Sequence, residues 1–362
     1  MNKTPHLLGC ISGHGYGHVA QVAPVLNTLH KLLPGLHLTL RTTVPEAHLR
    51  SRITPEFRYI AQSTDFGMHM LSALEVDVAA SMAAYAEFHT DWQAKVETES
   101  ASIAELAPDL VLSDVAYLPL AGAACLGIHS VAMCSLNWAD IFRHFCNDEP
   151  GAAEILQQIE SAYAHSEAFL CLQPAMPMSW LMNQRSISPV AVQASNRRHE
   201  INHRLGLSAE CKLVLVSMGG ISMRMPVENW PAIPNLRWLL QSDWLRDCQR
   251  EDMLAFESLN IGFSDLLASC DLLVTKPGYG AFVEAACHGI PVLYAERGEW
   301  PEQEYLIRWL EQNGCCQKLD AAQVQSGNFA HELEHLIAQP KPAAIEPTGS
   351  LQAAEYIARL LL

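Results

Sequence analysis

The chain has no run of lysine or arginine: across 362 residues, 23 basic side chains face 39 acidic ones, a formal net charge of -16. Nucleic acid requires a basic footprint, so no nucleic-acid partner is expected. No apolar stretch reaches the roughly 20 residues of a membrane span. No charged-then-apolar leader opens the chain. A soluble protein without a transmembrane segment, cytoplasmic in location, is expected. The 11 cysteines include no CxxC pair. Cys10, Cys134, Cys171 and Cys270 sit in apolar runs, as reduced buried thiols do. Cys315 and Cys316 are adjacent, which is poor geometry for a mutual disulfide. The 16 histidines form no HExxH and no carboxylate-spaced cluster, so no metal is expected. A Walker A loop is missing too, since no Gly-Lys-Ser/Thr follows a glycine turn.

What is present is a folded composition, 49% hydrophobic and 17% charged. The length suits two domains. Short apolar runs alternate with helical stretches: "HLLGCIS" (His6–Ser12), then Val22, Val25, Leu26, Leu29 and Leu33 on one helical face. "LHLTLRT", a long helical segment near Val76–Leu106, "DLVLSD" (Asp109–Asp114), an Ala-rich helix, "HSVAMCS" and "AFLCLQ" follow. The alternation breaks at "QPAMPMSW" and restarts at "KLVLVSMGG" (Lys212–Gly220). Such alternation makes a parallel sheet with helices on both faces. The expected fold class is α/β: two doubly wound Rossmann-like domains facing across a cleft. Residues 1–175 form the first domain, 176–196 the linker and 197–345 the second. Residues 346–362 form a last helix, expected to pack back on the first domain.

Three glycine turns can bring backbone N–H groups and a helix dipole to a ligand. The first is "GHGYGHVAQV", Gly13 to Val22. It is no dinucleotide fingerprint: GxGxxG would need glycine where His18 stands, and the second strand ends at Arg41 and Thr42 without an acid for a ribose. An NADP reading through Arg41 stays open. Gly15 and Gly17 divide evenly between tight packing and ligand approach. His18 falls in the first helical turn. The dipole there disfavours its protonated form, so a neutral imidazole available as a base is expected. His14, in the loop itself, has the weaker claim.

The second turn is Gly219–Gly220. The third opens "VTKPGYGAFVEAACHGIPVLYAERGEWPEQEYLIRWLEQNG" (Val274–Gly314). Gly278, Gly280 and Ala281 leave backbone open at a helix start, and Glu284 follows one turn in. Either it reaches a ligand across the N-terminus, or it serves the dipole at about 0.3–1 kcal/mol.

This stretch resembles the nucleotide-sugar binding region of GT-B glycosyltransferases of family 28 type. The resemblance implies that Glu284, six residues after Gly278, takes the ribose hydroxyls, and that Gln303 and Glu304 contact the sugar. It sets Gly219–Gly220 near the diphosphate and His18 at that family's loop histidine. A closer resemblance is to the glycosyltransferase-like N-terminal region of plant L-arabinokinases. It lies in "SGHGYGHVAQV", "LSDVAYLPLAGAACLGIHSVAMCSLNWADIF" and "KPGYGAFVEAACHGIPVLYAERGEWPEQEYLIRWLE". No stretch matches the kinase half's ATP loop. The start is also similar to nucleotide-sugar hydrolases of pseudaminic acid synthesis, except that Gln21 stands where those carry arginine.

The implied activity is metal-independent, cofactor-free transfer of a sugar from a nucleoside diphosphate sugar, UDP favoured, to an unknown acceptor. His18 is the expected base, and Asp114 orients it or binds acceptor. Arg224 or Lys276 adds positive charge at the diphosphate, or is a solvated cation. Hydrolysis with water at the same site, and a non-catalytic nucleotide-binding module, are the alternatives. Trp138, Trp300 and Tyr279 either stack on sugar or base or simply pack. Phe66–His89, with Met68, Met70, Met82 and Phe88, either lines an acceptor groove or is core. The oligomeric state stays open.

Overall fold

A computed structural model describes residues 4–72, 75–219, 225–246, 248–296 and 298–362. The chain divides into two compact units. Unit 1 is Met1–Leu71, Glu75–Val190 and Thr348–Leu362; unit 2 is Ser72–Leu74 and Ala191–Pro347.

Unit 1 contains, in order, β1 (His6–Ile11), α1 (Tyr16–Leu32), β2 (His37–Thr42), α2 (Glu46–Arg52), β3 (Arg58–Ala61) and the short strands β4 (Met70–Ser72) and β5 (Glu75–Val76). Then come α3 (Val78–His89), α4 (Trp92–Leu106), β6 (Leu110–Asp114), α5 (Leu118–Leu126), β7 (His129–Cys134), α6 (Trp138–Cys146), α7 (Ala152–Ala164), β8 (Ala168–Leu172) and β9 (Gln184–Ile187). Its seven-stranded sheet runs β3-β2-β1-β6-β7-β8-β9, and every pair in it is parallel. Strands covered on both faces must be apolar throughout, which is why β1 and β6 are buried along their whole length. On one face, Leu8, Cys10 and Val111 pack with Ile103 of α4 and Ala123 of α5.

Unit 2 holds α8 (Arg198–Leu205), β10 (Lys212–Ser217), β11 (Leu236–Leu240), β12 (Met253–Ala255), α9 (Phe263–Ala268), β13 (Leu272–Thr275) and α10 (Tyr279–Cys287). It continues with β14 (Val292–Ala295), α11 (Gln303–Asn313), β15 (Cys316–Leu319), α12 (Ala321–Ser326) and α13 (Ala330–Ala338). Its sheet, β12-β11-β10-β13-β14-β15, is also parallel. Trp230, Trp238 and Phe329 anchor its core.

The last helix, α14 (Gly349–Leu361), belongs to unit 1 and packs on α1. Gly349 allows this. A Cβ there would lie 1.9 Å from the Ser188 carbonyl oxygen. Gln352 completes the attachment through the Ser188 backbone N–H at 2.9 Å.

Two details differ from the sequence reading. The long segment from Val76 is two helices, because the chain turns at Thr90 and Asp91, where the Thr90 hydroxyl bonds back to the Ala86 carbonyl at 2.8 Å. Residues 184–187, read as linker, form β9; as an edge strand it is mostly exposed and so carries polar residues without apolar alternation.

In each sheet the strand order reverses once, between β1 and β6 and between β10 and β13. Open α/β sheets bind ligands beyond the carboxyl ends of strands at such a reversal.

Candidate active site

In unit 1 the reversal falls where Ile11, ending β1, pairs with Asp114, ending β6. After β1 the chain turns through Ser12–Gly15 into α1. Gly13 passes so close to Thr43 that a Cβ would meet its Oγ1 at 2.1 Å. Gly15 has φ +155, open to glycine but strained for other residues. Beside Gly15 and Gly17 nothing lies within 4 Å of an added Cβ, so packing does not explain them.

The first turn of α1 carries His18 inward. Its Nδ1 lies 3.0 Å from Asp114 Oδ2 and 4.0 Å from Cys134 Sγ. His18 is 8% exposed and Asp114 1%. Burial lowers the proton affinity of His18, but the charge and hydrogen bond of Asp114, helped by Cys134, outweigh it and hold the pKa well above 6.5. The expectation of a neutral imidazole is thereby corrected. A full carboxylate in direct contact outweighs a helix dipole of about half a charge. Burial pushes the Cys134 thiol up to about 11. His18, Asp114 and Cys134 bring three ligand-type atoms within 4.8 Å of one another. The direct Nδ1–carboxylate bond is the geometry of a hydrogen-bonded, proton-bearing pair.

A second buried carboxylate, Asp65, joins this centre. It accepts the Ser12 hydroxyl at 2.9 Å and the Trp138 indole N–H at 2.7 Å. The Ser12 backbone N–H in turn donates to Asp114 at 3.3 Å. Burial pushes Asp65 up to about 6, against the pull of Trp138, His18 and Ser12. Sequence reasoning missed this residue, because an acid in an irregular segment carries no spacing signal. Gln21 is engaged elsewhere, its carboxamide bonded to the Ser135 hydroxyl at 3.1 Å and backbone N–H at 3.0 Å. Trp138 is fully buried, so it offers no open stacking face. Asn137 caps α6 through the Asp140 N–H at 2.8 Å. Phe66 packs against Tyr85 and Phe88, and Met68 is buried, which favours the core reading of that segment. Arg41 is 1% exposed and paired with Glu99 of α4, with Cys10 alongside. Enclosed there, it cannot take a 2′-phosphate.

In unit 2 the reversal pairs Ser217 with Thr275. Gly219 follows β10 with φ +80, and Lys276 follows β13, 8% exposed. A Cβ on Gly219 would lie 3.4 Å from Lys276 Cε and 3.8 Å from its Nζ, so a buried ammonium stands beside the turn. Helix α10 then starts at Gly278 with no side-chain cap and no acid in its first turn. Gly278, Gly280 and Ala281 are half-buried there. Gly220 and Arg224 lie outside the described residues. Glu284 is 1% exposed and accepts the Ser264 hydroxyl of α9 at 3.1 Å.

No family model matches the chain. The L-arabinokinase of Arabidopsis thaliana is 25% identical over an alignment 362 positions long that covers 97% of this chain and 33% of that protein. The chain therefore spans about a third of that relative's length. Among solved structures, the glycotransferase of kitacinnamycin aligns with a TM-score of 0.65 at 19% identity, over 99% of this chain and 100% of that one. UGT89C1 of Arabidopsis thaliana complexed with UDP gives 0.63 at 15%, over 99% and 100%. The glycosyltransferase VinC complexed with dTDP gives 0.58 at 16%, over 98% and 95%.

The chain has the GT-B fold. Beyond the reversal of each Rossmann-like sheet lies one candidate cluster, the His18 centre in unit 1 and the Lys276 turns in unit 2. In unit 2, the buried acid next to Gln303 is Glu302. It accepts the Trp300 indole N–H at 3.3 Å and begins α11. Gln303 donates to the Gly298 carbonyl at 2.7 Å. Glu304 is exposed and pairs with Arg308 one turn on. Trp300 and Tyr279 are buried, so neither is an open stacking face. No described helix is long and apolar enough to cross a membrane.

Proposed function

We propose that this protein transfers a sugar from a nucleoside diphosphate sugar to an acceptor hydroxyl, with unit 2 holding the donor and unit 1 supplying the base. The buried His18–Asp114 pair at the strand reversal carries the reading. Asp114 occupies Nδ1, which leaves Nε2 to remove the acceptor proton. As the acceptor oxygen bonds the anomeric carbon, the bond from that carbon to the diphosphate oxygen breaks. The diphosphate leaves with the electron pair. Lys276 and the backbone N–H groups at the Gly219 and α10 turns supply positive potential for it, without a metal ion. Glu284 takes the ribose, and the Glu302–Gln303 turn faces the sugar. A UDP-bound neighbour and a dTDP-bound one share the fold, and UDP is the favoured donor nucleotide.

The Asp114 carboxylate raises the proton affinity of His18 above that of an ordinary imidazole. A protonated His18 must lose that proton before acting as a base, so turnover rises with pH through the His18 pKa.

Thermal stabilisation by a panel of nucleoside diphosphates and nucleotide sugars tests the donor site. A ligand at about 100 times its Kd adds about 2.7 kcal/mol. Glu284→Gln keeps an acceptor for Ser264 and should abolish the shift given by the preferred nucleotide. No shift with any nucleotide, from a folded protein, rejects the reading. Product analysis with and without acceptor sugars and alcohols then separates transfer from hydrolysis.

A further inference from the structure

We infer that Asp65 is a positioning residue of the His18 centre: it ties Ser12 and Trp138 around the His18–Asp114 pair and gives the pair a second carboxylate. The inference adds a residue to the proposed mechanism and rests on that reading only where turnover is measured.

The ties come from three distant parts of unit 1. Asp65 Oδ1 accepts the Ser12 hydroxyl and Oδ2 accepts the Trp138 indole N–H, so each oxygen has its own donor. Ser12 then links both acids, through its hydroxyl to Asp65 and its backbone N–H to Asp114. The same hydroxyl accepts the His14 backbone N–H at 3.2 Å, which fixes the loop leading into α1. Gly67 lets the Asp65 segment press on this loop. It has φ +66, and a Cβ there would meet His14 Nδ1 at 2.5 Å and Trp138 Cη2 at 2.9 Å. A segment this closely fitted, with a buried acid at its centre, is more than a connection between strands.

The titratable groups around Asp65 are His18 on α1, Asp114 on β6 and Cys10 on β1, with the phenols of Tyr85, Tyr117 and Tyr163. Burial keeps the thiol and the phenols un-ionised. Cys134 faces His18 and is un-ionised too. Asp114 is the acid in direct contact with His18, and the Asp65 charge acts on the imidazolium through space. Burial pushes the Asp65 carboxyl up to about 6, and the His18 charge is among the interactions that pull it back.

The test is the imidazole titration of His18, followed by NMR and assigned by comparison with His18→Gln. In Asp65→Asn the His18 pKa should fall by about half a unit to one unit, a roughly three- to tenfold loss of proton affinity. Trp138→Phe keeps the carboxylate and removes one donor that holds it ionised. It should move His18 the same way by less, and it serves if Asp65→Asn does not fold. An unmoved His18 in a folded variant overturns the inference. The acid limb of the pH–rate profile gives a second readout. A shift of both imidazole and limb supports the inference and the base role together. A moved imidazole with an unmoved limb upholds the Asp65 inference and removes His18 as the base.

Discussion

Replacing Asp114 with asparagine removes one charge and keeps the side chain's shape. The native carboxylate holds His18 Nδ1 at 3.0 Å and accepts the Ser12 backbone N–H at 3.3 Å. At that separation, with an effective dielectric constant of about 20, it attracts an imidazolium by about 5 kcal/mol. Burial opposes this, because each ion gives up several kcal/mol of hydration. The raised His18 pKa says that attraction wins. In Asp114→Asn burial is opposed only by the Asp65 charge and the Cys134 contact, so the His18 pKa should fall well below its native value. A weaker and less firmly oriented base should cut kcat by about 10²–10⁴-fold, or about 3–5 kcal/mol of barrier. The turns proposed to hold the donor belong to unit 2, so the Kd of the nucleotide should stay within about twofold, less than 0.5 kcal/mol. Release of nucleoside diphosphate from the preferred donor, with acceptor present, measures kcat, and calorimetry measures the Kd. A folded variant with kcat within about tenfold of the wild type would refute the base assignment. So would loss of donor affinity with kcat unchanged.

The His18–Asp114 pair also couples stability to pH. A group whose folded pKa is raised stabilises fully below its unfolded value, near 6.5 for histidine, and that contribution is lost as pH rises through the folded pKa. Denaturant midpoints taken from pH 6 upward should therefore fall faster for the wild type than for Asp114→Asn; parallel curves would contradict the pairing. Glu99→Gln strands the buried Arg41 charge and should cost about 3–5 kcal/mol of stability. Replacing Arg41 and Glu99 together by apolar residues should recover most of it, and equal losses in chemical denaturation would show that the ion pair is not the cause.

Local chemistry wrote much of this fold into the sequence. Apolar runs bounded by turn residues located β1, β6, β10 and β13, because strands buried on both faces admit nothing else. The glycine turns after them were legible for the same reason, and they put His18 at a helix start. Other features depended on partners far along the chain. Asp65 reads as an ordinary loop acid until Ser12 and Trp138 close on it. Arg41 looked free at a strand end until α4 brought Glu99 over it. Glu302 and Glu304 differ only in the phase of one helix start, which packing around Trp300 settles. The polar edge strand β9 had no local signal either. The proton affinity of His18 is the clearest division. The sequence by itself determined that a histidine stands in the first turn after a glycine loop. Only the tertiary structure raised that affinity, because the carboxylate beside the imidazole comes from a strand 96 residues away.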